Sequence, residues 1–187
     1  QMGGNTMQPL ANITPLKPAG AIEVRNVGQI FKTTTQDVVA LEDVSLDVKP
    51  GRFVVLVGPS GSGKSSLLAL VPRLAEPDVG GVVLGGVPLP RLSLASLRGR
   101  CALVPQEPYF FAGTIEENLS FAAPHVDRRA LRAACRAAHV EEFVLRLPEG
   151  YATMLTRGAH NLSVGQRQRL AVARAMLVAP RILLLDE

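Results

Sequence analysis

Gly58-Pro59-Ser60-Gly61-Ser62-Gly63-Lys64-Ser65 is the stretch on which the reading of this chain turns. It fits G-x-x-x-x-G-K-S/T, and its flanks matter as much as its letters. Before it, Phe53-Val54-Val55-Leu56-Val57 is continuously apolar and β-branched, which predicts a buried parallel strand. After it, Ser66-Leu67-Leu68-Ala69-Leu70-Val71 predicts a helix ending near Pro72. Glycines let backbone N–H groups converge on phosphate oxygens with no Cβ in the way. The helix that starts near Gly63 adds its dipole and its unpaired amides. In such a loop Lys64 supplies a point charge to β- and γ-phosphates, and Ser65 a hydroxyl to Mg²⁺.

A loop of this kind needs an acidic strand end to hold the metal. Ile182-Leu183-Leu184-Leu185 followed by Asp186-Glu187 offers one, predicted as a buried strand. Asp186 would hold the ion, directly or through water. Glu187 could orient or deprotonate an attacking water. Further strands are predicted at Ala21 to Val27, at Val44 to Val48 by alternation, and at Ala102 to Val104 before Pro105, with a short strand or hairpin at Gly80 to Val87. Asp127 is placed to cap a helix running from about Arg128 to Leu147, with Leu131, Ala134, Cys135 and Ala138 on one face. A second helix is predicted from Ser163 to Val178. Strands alternating with helices argue for an α/β fold with a mainly parallel sheet.

Composition sets the bounds. At 187 residues the chain has the length of one domain, preceded by a tail or linker over residues 1–20 that carries three prolines. Hydrophobic residues make up 47% and aromatics only 4%, with no Trp, so the core must be aliphatic. Two cysteines, Cys101 and Cys135, cannot build a disulfide framework, which points to a reducing compartment. No run of about 18 uncharged apolar residues suggests a membrane span, and the polar N-terminal stretch does not read as a signal peptide. A net charge of +4 is too mild to indicate a nucleic-acid partner, and none is expected. Arg128, Arg129, Arg132 and Arg136 read as the solvated side of a helix balanced by Glu141 and Glu142.

Two more segments complete an ordered set. Leu162-Ser163-Val164-Gly165-Gln166 stands before a helix and ahead of Asp186, and Gln106 lies between the phosphate loop and that segment. In this order the motifs resemble the nucleotide-binding domain of ABC transporters, over about residues 21–187. The resemblance implies a P-loop NTPase fold: a mainly parallel core sheet, an N-terminal antiparallel β part, and a helical subdomain at about 107–165. It implies ATP and Mg²⁺ as ligands. Ser60 to Ser66 match Walker A, preceded by Gly58 and Pro59. Gln106 matches the glutamine that ligates Mg²⁺ and senses the γ-phosphate. Leu162 to Gln166 match the signature, whose Ser163, Gly165 and Gln166 face the γ-phosphate held by a second nucleotide-binding domain in a head-to-tail dimer. Asp186 and Glu187 match the Walker B aspartate and the catalytic glutamate. Phe31 is the match for the aromatic that stacks on adenine, with a core or strand-edge role as the alternative. Pro108 to Ile115, Asn118-Leu119 and Leu147 to Tyr151 look exporter-like. The resemblance therefore also implies transmembrane partner domains, a place on the cytoplasmic face of a membrane, and hydrolysis that drives solute transport.

Departures temper this. The third signature position, usually Gly, is Val164, which predicts weaker dimer closure. Thr156-Arg157 stands where exporters usually carry Gly-Glu. His125, His139 and His160 all precede Asp186, so none matches the family's switch histidine. A domain cut at Glu187 is therefore expected, one that binds ATP but turns it over little by itself. A nucleotide-binding regulator without turnover stays open as an alternative. A DNA-maintenance ATPase head of the SMC type is disfavoured because no sustained heptads separate Ser65 from Leu162. No Asn-Lys-x-Asp sequence is present to read guanine.

Overall fold

A computed structural model describes residues 20–34 and 36–186. The expected tail lies outside them up to residue 19, as does Glu187. The chain forms two compact units, Gln1–Leu97 and Arg98–Glu187.

The first unit is built on an antiparallel sheet of β1 (Ile22–Lys32), β2 (Asp37–Val48), β3 (Val79–Leu84) and β4 (Val87–Pro88), in the order β2-β1-β3-β4. Its β1 buries Val24 and Val27, an odd spacing that a plain strand would send to opposite faces. The bulge between them resolves this. Asn26 and Asp43 both take positive φ, the Asn26 side chain donates to Asp43 at 2.8 Å, and the Asn26 amide donates to Ser45 Oγ at 2.9 Å. Asn and Asp tolerate that backbone region better than bulkier residues. The helix α1 (Lys64–Leu70) follows the glycine-rich loop and buries Leu67 and Leu70.

The second unit carries the parallel part of the fold. Here β5 (Cys101–Val104) pairs in parallel with β8 (Ile182–Leu185), with Cys101 opposite Ile182 and Val104 opposite Leu185. Between them lie α3 (Ile115–Ser120), α4 (Arg128–Ala137), α5 (Glu141–Val144) and α6 (Val164–Leu177). The two-residue strands β6 (Gly113–Thr114) and β7 (Met154–Leu155) pair antiparallel, while α2 (Leu94–Arg98) spans the junction of the two units. Val104, Phe110, Ile115, Leu119, Leu131 and Leu170 share one mostly aliphatic core, which also takes in Phe143.

Three expectations are corrected. Residues 53–57 form no strand, and Phe53 and Val57 are 86% and 91% exposed. Apolar, β-branched composition sets a preference, but a strand exists only through hydrogen bonds to a neighbour; among the described residues this stretch pairs with none. The helix expected from Arg128 to Leu147 is two helices. His139 adopts φ +54°, its amide donates to the Arg136 carbonyl, and the Val140 amide reaches back to Cys135 at 2.7 Å. That is a Schellman stop with His in the place usually held by Gly, closed by the buried pair Cys135 and Val140. The strand β8 buries only Leu184; Leu183 and Leu185 are exposed.

Cys101, at the start of β5, is half-buried, and that burial pushes its thiol up to about 11. An unfolded thiol releases its proton near pH 8.5. Above that pH the unfolded chain binds fewer protons than the folded one, so stability falls as pH rises from about 8.5 toward 11. Alkylation of Cys101 by iodoacetamide in the native chain should reach half its maximal rate well above pH 9, and shift to the ordinary range in denaturant. A native profile centred near pH 8.5 would contradict this burial.

Candidate nucleotide-binding site

The glycine-rich loop forms without a strand before it. Its anchor is instead Gly63, which takes φ +84° as the N-cap of α1. A Cβ there would overlap the Ala40 carbonyl of β2, so the loop sits against the sheet backbone at a distance only glycine permits. Lys64 folds back into the loop it ends. Its Nζ donates to the carbonyls of Gly58 and Pro59, both at 2.8 Å, and to Ser62 Oγ at 3.1 Å. The loop is thus curled tightly around an ammonium group. A cation held at the mouth of a glycine-rich turn by reversible hydrogen bonds suits phosphate oxygens. Ser60 and Gly61 are exposed, and Ser65 and Ser66 lie in the first turn of α1. Phe31 is 47% exposed on β1, which removes the core alternative and leaves its ring accessible; a flat ring in that position suits stacking.

In the second unit the parallel pairing does what periodicity could not show. Because Val104 stands opposite Leu185, both strands end together. The Asp186 amide donates to the Val104 carbonyl at 2.9 Å, which extends the register by one step. Asp186 and Gln106 are therefore brought to the same edge, at the C-terminal ends of adjacent parallel strands, which is where open α/β sheets place their ligands. Gln106 is exposed. The carboxylate of Asp186 and the hydroxyl of Ser65 are hard oxygen donors of the kind magnesium takes. They lie in different units, and each fits the ion by its chemistry.

The signature forms the start of α6. Ser163 is the N-cap, and its Oγ accepts from the Gln166 amide at 3.2 Å. Gln166 answers by accepting from the Ser163 amide at 2.9 Å. This capping box uses one acceptor position of the hydroxyl and leaves its proton to donate. Gly165 faces open space, with nothing near where a Cβ would stand, and Val164 is exposed.

Sequence reasoning missed Arg174. It lies four residues after the buried Leu170 on α6, and donates to the Tyr109 carbonyl at 2.9 Å. A charged residue in register with a buried face was the available signal.

The chain belongs to the ABC transporter family: the model of that family, described as ABC transporter, matches residues 41–187. The fold is the P-loop NTPase fold of an ABC exporter's nucleotide-binding domain, with an antiparallel N-terminal sheet. Curated relatives include ABC multidrug transporter MDR2 of Trichophyton rubrum, 42% identical over 170 residues, which are 90% of this chain and 13% of that protein. Its counterpart of the same name in Trichophyton equinum is 43% identical over 173 residues, again 90% and 13%. The chain thus spans about an eighth of the length of these relatives. Among solved structures, a bacterial Atm1-family ABC exporter with ATP bound superposes with a TM-score of 0.84 at 32% identity, over 92% of this chain and 30% of that one.

Replacing Ser163 by Ala removes the cap of α6 and should cost about 1 kcal/mol, whereas Gly should cost only a few tenths. Urea denaturation of the three proteins measures this. Equal midpoints for the wild type and Ser163→Ala would show that the capping box does not hold the helix start.

Proposed function

We propose that this chain binds ATP with Mg²⁺ and, paired with a second nucleotide-binding domain, hydrolyses it to drive solute transport through separate transmembrane domains. The observation that carries the reading is the parallel register of β5 and β8, which sets Gln106 and Asp186 on one edge. The Lys64-centred loop supports it, as do the family membership and the relatives' names. Among the described residues no helix is long and apolar enough to cross a membrane. That suits a domain working on the cytoplasmic face through membrane partners, as the exporter relatives suggest.

The roles follow from each group's chemistry. Lys64 exchanges its bonds to the Gly58 and Pro59 carbonyls for bonds to phosphate oxygens, with loop amides from Ser60 to Ser66 completing the cradle. Ser65 of the first unit, and Gln106 and Asp186 of the second, would each offer magnesium an oxygen ligand. When bound, that ion neutralises charge developing on the β- and γ-phosphate oxygens. Glu187 accepts a proton from the water that attacks the γ-phosphorus, as the bond to the leaving ADP oxygen breaks. Phe31 stacks on the adenine. Ser163, with Gly165 and Gln166 at the α6 N-terminus, faces the γ-phosphate held by the partner domain. There Val164 restricts the backbone and weakens closure.

Replacement of Lys64 by Ala tests the reading. Loss of charged hydrogen bonds, each worth roughly 1.5–3 kcal/mol, should weaken MgATP binding by about tenfold or more in a fluorescent-nucleotide titration. Circular dichroism controls for an intact fold. Undiminished MgATP binding by a folded Lys64→Ala chain would overturn the assignment of this loop.

A further inference from the structure

The carbonyls of Tyr109, Phe110 and Phe111 each accept a hydrogen bond from a different element. Arg174 of α6 donates to the Tyr109 carbonyl at 2.9 Å. Gly158, at φ +75° in the turn before the signature, donates its amide to the Phe110 carbonyl at 2.8 Å. Asn118 of α3, fully buried, accepts from the Phe111 amide and donates to the Phe111 carbonyl, both at 3.1 Å. Three elements distant in sequence thus grip three consecutive residues. The Phe110 ring is wholly buried in the core, and the Arg174 guanidinium lies over it, 4.8 Å from the ring centroid.

The same guanidinium therefore does two things at once. It donates to a carbonyl and lies over an aromatic ring, two contacts that a guanidinium can make together with its edge and its face. Burial lowers its pKa, and no carboxylate contributes to the shift. A half-buried charge is costly unless its hydrogen bonds and ring contact offset the lost water. The cost is met at Tyr109, three residues beyond Gln106.

We infer that Arg174 is a positioning residue: it ties the loop that carries Gln106 to the signature helix α6, so that the two move as one body. The inference rests on the proposed role of Gln106 toward the γ-phosphate. Gln106 itself is exposed and stands on a short loop after Pro105. Its position depends on where Tyr109 is held. With Arg174 removed, the Phe110 ring keeps its core contacts, but the loop loses its hydrogen bond to α6.

The test compares wild type, Arg174→Lys and Arg174→Met in the full chain. Hydrogen exchange followed by mass spectrometry reads the loop, and titration with MgATP and MgADP reads its consequence. In Arg174→Met, peptides covering residues 105–112 should exchange about tenfold faster, while α4 and β1 keep their wild-type protection. Preference for MgATP over MgADP should fall about tenfold, with MgADP affinity unchanged within twofold. Arg174→Lys, which keeps a donor but not the planar stack, should recover part of both effects. Unchanged exchange at 105–112 would overturn the inference. So would exchange raised uniformly across residues 98–186, which marks a merely structural role. An unchanged ATP preference in a variant whose loop has loosened would also overturn it. A wild-type chain that binds neither nucleotide overturns the functional reading instead, and the exchange data then decide alone whether Arg174 holds the loop.

Discussion

The second unit depends on one non-local pairing. Between the end of β5 and the start of β8 the chain runs through four helices, yet the two strands meet residue for residue, from Cys101 with Ile182 to Val104 with Leu185. Parallel strands cannot be joined by a tight turn. The helices between them must pack back onto the strands and bury one common core, and they do so through Leu119, Leu131 and Leu170, joined by Phe110 of the loop after β5. A slip of one residue in this register would turn Leu184 outward and carry Asp186 away from the Val104 carbonyl. The position of the chemistry is therefore a by-product of the register that buries the core.

Phe110 is the second fixed point. Its ring fills the core, and the carbonyls of Tyr109, Phe110 and Phe111 accept from α6, the turn at Gly158 and α3. Buried backbone groups without partners would each cost roughly 1–3 kcal/mol, so the arrangement is as constrained by hydrogen bonding as by packing. This is how Tyr109 to Phe111 are held without regular structure. The first unit solves a similar problem differently. There the glycine-rich loop is fixed by the close approach of Gly63 to β2 and closed by Lys64 on its own carbonyls. Curvature replaces packing.

Features whose physics is local were legible in the sequence. The Ser163–Gln166 capping box, the Asp127 cap of α4, and the start of α1 at the Gly-Lys-Ser sequence each involve residues within one helical turn. The ordered motifs from Gly58 to Asp186 were legible for the same reason, since each is a short run with its own chemistry. What failed was the part that depends on a partner. Residues 53–57 have the composition of a buried strand and are exposed without pairing. The break at His139 could not be read from helical spacing, because the Val140–Cys135 contact that closes it is made only once both are buried in the core.

By itself, the sequence determined the class of chemistry: a phosphate loop, an acidic strand end and a signature helix, in an order specific to one family. Tertiary structure alone decided that Gln106 and Asp186 share an edge and that Arg174 donates to the Tyr109 carbonyl. The reason is range. Caps and turns are settled by interactions over a few residues, whereas sheet register and the partner of a half-buried guanidinium are settled between residues 65 to 81 positions apart, which no periodicity encodes.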